Sequence, residues 1–349
     1  MILRFTRNFI LIAALSILPF LAAHSQDKQA KVAAIGFYNL ENLFDTIDDP
    51  ITDDVEFTPN GPSKWDSKKY TSKLEHMATV IAQIGDEIVK GGPVIVGVSE
   101  IENRQVVVDL TNTPPLKGMG YEVAHFDSPD KRGVDVALIY QTKSFKLLDS
   151  KPHPLHIAGM PDFFTRDILE VKGLLDGDPI TVLVNHWPSR SRGEKESAPL
   201  RNAAADLCRS IADSILKINP SAKIVIMGDL NDDPTDESLT KHLKIVTKPE
   251  NAKTGDLFDP MWQMFKDGAG SLAYQDSWNL FDQIIVSDGL LKNENSGYRF
   301  YRARIFNKKF IFEKEGQYKG YPFRTFAGGV YQNGYSDHCP VYIFLVKGM

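Results

Sequence analysis

The chain is poor in the residues that staple or thread a protein. Only two cysteines, Cys208 and Cys339, occur in 349 residues, which leaves no disulfide framework to build. Cys208 falls in a helical pattern and reads as small core filler; a bond between the two has no support in their contexts. A Gly-x-Ser-x-Gly elbow, a Gly-x4-Gly-Lys-Ser/Thr phosphate loop and a His-Glu-x-x-His zinc helix are all missing, so the common signatures of covalent serine, P-loop and zinc-helix chemistry are excluded. Beyond the first 25 residues, no stretch long enough to span a bilayer is free of charge, so no stable membrane insertion is expected of the remainder. Positive charge is short as well: 40 Lys and Arg stand against 45 Asp and Glu, a net of −5. That balance disfavours unspecific binding to polyanions, which depends on Lys and Arg displacing condensed counterions, unless divalent metal and a local basic rim handle the phosphates.

What is present is enough apolar material, 42% of residues, for a large core. The first 25 residues carry Arg4 and Arg7, an apolar stretch from Phe9 to Ala23, and then Ala23-His24-Ser25, a small-x-small exit before Gln26. This reads as a cleaved secretory signal over residues 1–25, with a membrane anchor as the alternative. No cysteine follows the apolar run, which excludes a lipoprotein. The expected mature protein, residues 26–349, is read as one domain exported to the periplasm or beyond the cell.

Along that domain the apolar run 32–38 reads as a buried strand ending in Asn39. Ser63 is placed to cap a helix with Tyr70, Leu74, Met77, Ile81 and Ile84 on one face, stopped by Gly85. The run 93–98 delivers Ser99 and Glu100, and a short helix is expected over 103–111. Closely spaced strand patterns at 121–126, 134–140, 144–149, 166–174 and 179–185 argue for antiparallel hairpins rather than strict alternation of strand and helix. A helix capped by Ser197 follows, then strands at 223–227, 281–286, 299–306 and 341–346. With no internal repeat or low-complexity linker, one mixed sandwich fits better than two joined domains.

Lone polar residues mark the ends of these runs. Asn39, Glu100, Asn185-His186 and Asp229 close four of them, while Asp282 opens one and Asp337-His338 precedes another. Convergence of these ends would create a site of carboxylates, carboxamides and two imidazoles with almost no thiol, a donor set that selects Mg²⁺, Mn²⁺ or Ca²⁺ over structural zinc. Such a set suits hydrolysis of a phosphate ester by activated water. Singly, each residue has a plainer reading. Gly228-Asp229-Leu230-Asn231 and Asp337-His338 resemble Asx turns, and a lone histidine is commonly structural. Glu100, after five apolar residues, is harder to dismiss because a buried carboxylate is costly without a partner.

Seven segments in order, Phe37-Tyr38-Asn39-Leu40-Glu41-Asn42, Val98-Ser99-Glu100, Arg132-Gly133-Val134-Asp135-Val136-Ala137, Asn185-His186-Trp187-Pro188-Ser189-Arg190, Gly228-Asp229-Leu230-Asn231-Asp232, Phe281-Asp282-Gln283-Ile284 and Ser336-Asp337-His338-Cys339-Pro340, resemble the motifs of the endonuclease/exonuclease/phosphatase superfamily with the deoxyribonuclease I-like fold. The resemblance runs from about residue 32 to 346. It implies an α/β (α+β) four-layer sandwich: two mixed, mostly antiparallel β-sheets packed face to face and flanked by helices. It further implies Glu100 as the main metal carboxylate, with Asn39 beside the ion directly or through water and Asp337 near the same site. Asp229 would orient or deprotonate water, Asn231 would hold the phosphate, and His338 would pair with the scissile phosphate while Asp282 sets its tautomer. His186 resembles a second histidine that bonds a phosphoryl oxygen or protonates the leaving group. Whether Asp229 or His338 is the base stays open, as does the choice of one or two ions.

Outside the shared pattern, Arg132 and Arg190 are candidates for substrate contact at the rim, with solvated loop arginines as the plain alternative. The loop from Ser189 to Ser197, carrying Arg190, Arg192 and Lys195, has the same choice between gripping a polyanion and simple solvation. Trp187, Phe163 and Phe164 divide between stacking on a base and the commoner role of core packing. The expected activity is that of an exported Mg²⁺-dependent phosphodiesterase of the endonuclease type. A phosphatase or phosphodiesterase for lipid or sugar phosphates is the alternative, and a catalytically silent binding protein of the same fold is the third reading. No protein partner is expected.

Overall fold

The computed structural model describes residues 30–191, 193–292 and 297–348; the expected signal segment 1–25 and Arg192 lie outside them. Along the chain, β1 (Lys31–Leu43) leads through α1 (Ser67–Ile81) to β2 (Ile95–Ile101) and α2 (Arg104–Asn112). The hairpin-rich middle follows as β3 (Tyr121–His125), β4 (Asp135–Gln141), β5 (Phe145–His153), β6 (Ile168–Leu175) and β7 (Asp178–His186). After α3 (Glu194–Ile218) come β8 (Ile224–Asp229), the two-residue strands β9 (Ile245–Val246) and β10 (Leu257–Phe258), and α4 (Met261–Lys266). The last part holds β11 (Leu272–Tyr274), β12 (Ser277–Asn279), β13 (Asp282–Ser287), β14 (Arg299–Ile305), β15 (Phe326–Ala327), β16 (Val330–Tyr331) and β17 (Val341–Lys347).

Two large sheets result. The six-stranded one runs β14-β17-β1-β2-β4-β3 and the seven-stranded one β5-β6-β7-β8-β13-β10-β9. Each is antiparallel except where β1 meets β2, β7 meets β8 and β9 meets β10, so the expected mixed sandwich is the observed one. Period-two alternation explains the layering. Ala33, Ile35 and Phe37 of β1 face the other sheet and share a core with Val182, Val184, Met227 and Ile284. Ala34 and Tyr38, on the opposite face, pack with Leu74, Met77 and Ile81 of α1 and Val106, Val107 and Leu110 of α2. On the far side, Leu183, Ile226 and Ile285 meet Ala205, Cys208 and Ile211 of α3. Each fully buried Val, Leu, Ile or Phe contributes roughly 1.5–3 kcal/mol. Gly97 permits the close approach of the sheets, since a Cβ there would stand 2.5 Å from the Met227 sulfur.

Two helix starts differ from expectation. Asp66, not Ser63, caps α1 by accepting the Lys69 N–H. Helix α3 begins at Glu194 after Gly193, whose φ of 97° turns the chain. Ser197 therefore lies inside α3, donating to the Gly193 carbonyl and accepting from Arg201. Both cysteines are buried and unpaired.

Candidate active site

The direction of each strand decides which of its ends reaches the site. Because β1 and β2 run parallel, as do β7 and β8, their C-terminal ends carry Asn39, Glu100, His186 and Asp229 toward one edge. Strands β13 and β17 run antiparallel to β8 and β1, so their beginnings, Asp282 and the preceding His338, arrive at that same edge. Asp229 stands in register with both His186 and Asp282. Backbone irregularity aims several of these groups. The β1 and β2 registers shift after Asn39 and Ser99, and Glu41, Asn42, Glu100 and Asn231 adopt positive φ of 50°, 53°, 56° and 52°. Such left-handed residues cost of order 1 kcal/mol each and gather where a bulge redirects a side chain.

Two clusters share Asp229. In one, His186 Nε2 lies 3.7 Å from Asp229 Oδ2 and 3.9 Å from Glu100 Oε1. In the other, His338 Nδ1 hydrogen-bonds Asp282 Oδ2 at 2.7 Å, and its Nε2 lies 3.9 Å from Asp229 Oδ2 and 3.9 Å from Asp337 Oδ1. Asp282 also accepts the Ser271 hydroxyl. Asn39 Nδ2 bridges Glu100 at 3.2 Å and Asp229 at 3.1 Å. The Asp282 Oδ1 and His186 Nδ1 atoms are buried with no hydrogen-bond partner among the described residues.

Burial dominates the titration of the group. It pushes the Asp229 carboxyl up to about 7, with Asp282 and Glu100 adding to the rise and His338 opposing it. It pushes His186 well below the usual imidazole range, reinforced by Arg166 and Arg132, so His186 is neutral near pH 7. For His338 burial acts downward but is overcome by Asp282, Asp337 and Asp229, which hold it well above the usual range as a cation. Burial and Asp337 raise Glu41 to about 7.

The structure brings Asn39, Glu100, His186, Asp229, Asn231, Asp282, Asp337 and His338 to one edge, with some changes of partner. Asn39 Oδ1 accepts the Glu41 N–H, which fixes its orientation because an amide nitrogen cannot accept. The carboxamide thus presents its NH₂ to two carboxylates and positions them. Asn231 donates its Nδ2 to the Trp187 carbonyl at 3.0 Å. Asp337 is gripped by Arg324 at 2.7 Å, leaving Glu100, His186 and Asp229 as the closer set. Arg190 is corrected: rather than a free rim contact, its guanidinium bonds Asp232 and Asp236 at 3.0 and 2.7 Å and the Asn231 carbonyl at 2.9 Å, and stacks on Phe281. Both carboxylates meet Nη2, while Nη1 pairs with Glu194 at 3.1 Å, so Arg190 braces the loop that carries Asn231. Arg132 is half-exposed beside Asp130, and Trp187 is core while Phe164 is exposed.

Sequence reasoning missed Lys73 and gave Glu41 no role. Lys73 is buried on α1, bonded to the Thr325 hydroxyl and the Tyr335 carbonyl and 3.6 Å from Glu41. The signal was legible: Lys73 sits one turn before Met77 on the apolar face of its helix.

The donor chemistry fits a divalent ion. Ligand atoms of Glu100, His186 and Asp229 lie within 4.8 Å of one another, as do those of Asp229, Asp282 and His338. Buried carboxylates this close repel unless a cation or proton intervenes.

A family profile described as Endonuclease/Exonuclease/phosphatase family matches residues 34–347. No curated protein sequence matches the chain. Among solved structures, TDP2 of D. rerio complexed with single-strand DNA product is 13% identical over 90% of this chain and 98% of its own, with a TM-score of 0.54. The mannosyl-6-phosphatase of Bacteroides thetaiotaomicron is 15% identical over 90% and 99%, with a TM-score of 0.53. An endonuclease/exonuclease/phosphatase family protein of the same bacterium is 16% identical over 92% and 97%, with a TM-score of 0.54. At these identities the likeness is one of fold.

Proposed function

The chain belongs to the endonuclease/exonuclease/phosphatase family, and on that premise we propose that it is an exported, Mg²⁺-dependent phosphodiesterase acting on nucleic acid. The observation that carries the reading is the double use of Asp229, which closes one cluster with Glu100 and His186 and another with Asp282 and His338. Glu100 would hold the ion at the edge it shares with Asp229 and His186, and the bound ion would neutralise the non-bridging phosphate oxygens. Asp229 orients water and takes its proton; in the metal-free protein burial raises its carboxyl to about 7. His338 is a cation braced by Asp282, so it donates to the phosphoryl group rather than acting as base. Neutral His186 offers a second imidazole to a phosphoryl oxygen or the leaving group. Arg4, Arg7, the apolar run and the Ala23-His24-Ser25 exit support export.

The purified mature protein is expected to cleave plasmid DNA and a bis-aryl phosphodiester with Mg²⁺ or Mn²⁺ and to stop with chelator. Activity on monoesters alone would transfer the reading to a phosphatase, and none on any ester to a silent binding protein. A sugar phosphatase is the second reading, favoured by a cavity of about 410 Å³ lined by Tyr274, Tyr318, Tyr321 and Arg324. Arg324 joins that cavity to Asp337, and the mannosyl-6-phosphatase of Bacteroides thetaiotaomicron shares the fold.

A further inference from the structure

A second cavity, of about 370 Å³, opens on the other flank of the site between the segment 163–166, the turn after Trp187 and the first turn of α3. Its lining includes Arg132, Phe164, Thr165, Arg166 and Ser189. Thr165 and Arg166 are 4% and 8% exposed, and the Thr165 hydroxyl and the Arg166 Nε find no hydrogen-bond partner among the described residues. Leaving two such donors buried and unmet is costly, and their presence in a cavity wall points to an acceptor supplied from outside the chain.

The charge of the cavity agrees. Asp130, also in the wall, is already spent: its Oδ1 accepts the Arg132 backbone N–H at 3.0 Å and its Oδ2 pairs with Arg166 Nη1 at 3.0 Å. Two guanidinium groups therefore face one carboxylate, an excess of one positive charge. The cavity also adjoins the reacting end of the site. The Trp187 carbonyl accepts from Arg166 Nη2 at 2.7 Å and from Asn231 Nδ2 at 3.0 Å, so these two nitrogens lie at most about 6 Å apart. Phe164, 48% exposed, adds a free aromatic face at the mouth.

We infer that this cavity receives a second phosphate of the substrate, the one next to the scissile phosphate along a nucleic-acid strand, with its base stacked on Phe164. Repeated phosphates at short spacing are what a polynucleotide offers, and base stacking on an aromatic side chain is its sequence-tolerant complement. A sugar monophosphate carries one phosphate and would leave the cavity unfilled. The inference rests on the phosphodiesterase reading above and deepens it by assigning a place to the neighbouring phosphate and its base.

The test compares hydrolysis of a thymidine dinucleotide with that of the same dinucleotide carrying a terminal 5′ or 3′ phosphate. The wild-type protein should favour one of the phosphorylated forms by about tenfold or more in kcat/KM, and Arg132→Gln and Phe164→Ala should each reduce that preference below about threefold. Both side chains are solvent-exposed at the mouth, so these variants should fold. No preference in the wild type, or a preference that survives both substitutions, overturns the assignment. If no diester is cleaved, the bis-aryl substrate included, the phosphodiesterase reading fails on its own terms. Calorimetric titration with the same nucleotides then decides the cavity: tighter binding of a phosphorylated form, lost in Arg132→Gln, supports it, and equal binding by both proteins overturns it.

Discussion

Among the described residues two histidines with buried side chains hydrogen-bond an aspartate, and only one of these pairs has the surroundings of a reactive centre. His338 bonds Asp282 at 2.7 Å and His125 bonds Asp135 at 2.9 Å, with all four side chains buried. Asp135 is satisfied: its Oδ1 accepts both the amide and the hydroxyl of Ser128 while His125 takes its Oδ2. The other nitrogen of His125 points at Asp127, a carboxylate 87% exposed and free to be solvated. Asp282 instead keeps Oδ1 unmet, and the free nitrogen of His338 faces Asp229 and Asp337. The same pair is thus a strap between hairpin strands in one place and a charged group with unfinished contacts in the other. Chemistry follows the unmet neighbours, not the pair.

The contrast can be broken in several ways. The largest effect concerns pH and stability at Asp229. Its carboxyl binds a proton up to about pH 7 in the folded protein but only to its ordinary value when unfolded. Between those values the folded state holds the extra proton, so metal-free stability falls as pH rises through them. Asp229→Asn should therefore gain on the wild type from pH 4 to pH 8 in chelator, by up to about 4 kcal/mol, read from denaturant unfolding at each pH. A constant difference would show that burial does not raise the proton affinity of this carboxyl.

The same substitution should lower kcat on a bis-aryl phosphodiester at least about a hundredfold. A near-normal rate would remove Asp229 from the role of base. Asp282→Asn, which leaves the shape but takes the charge from beside His338, should cost about 10–100-fold and shift the pH profile of kcat/KM downward on its alkaline side, as His338 loses its hold on the proton. Asp135→Asn is the counterpart. Its activity should stay within about threefold of wild type while thermal unfolding reports a loss of about 1–3 kcal/mol. Equal rate losses in the Asp282 and Asp135 variants would erase the distinction between the two pairs.

How much of this was legible in the sequence depends on the range of the interaction. Most strands of both sheets show in their apolar runs, and β1, β2, β4, β7, β8, β13 and β17 lie close to their expected positions, while the two-residue β9 and β10 had no expectation. Glu100 stood out because an acid closing an apolar run needs a reason, whereas Asp229 alone read equally well as part of an Asx turn. The helix starts were misplaced because several polar residues compete to cap, and the backbone angles at Asp66 and Gly193 decide the winner. Arg190 could not be read at all: its partners Asp232 and Asp236 are more than forty positions away. The cavity of Thr165 and Arg166 was hidden for the same reason, although Arg132 and Phe164 had been singled out one at a time.

The sequence by itself determined the alternation that makes two sheets, the apolar helix faces that cover them, and the identity of the polar groups at the strand ends. Those are local properties, set by side-chain period and by the cost of burying charge. Only the tertiary structure decided that Asp229 serves two clusters, that Asn39 turns its nitrogen to the carboxylates, and that one histidine is a cation while another is neutral. Proton affinity and hydrogen-bond partnership depend on what lies within a few ångströms, and here those neighbours come from strands far apart along the chain.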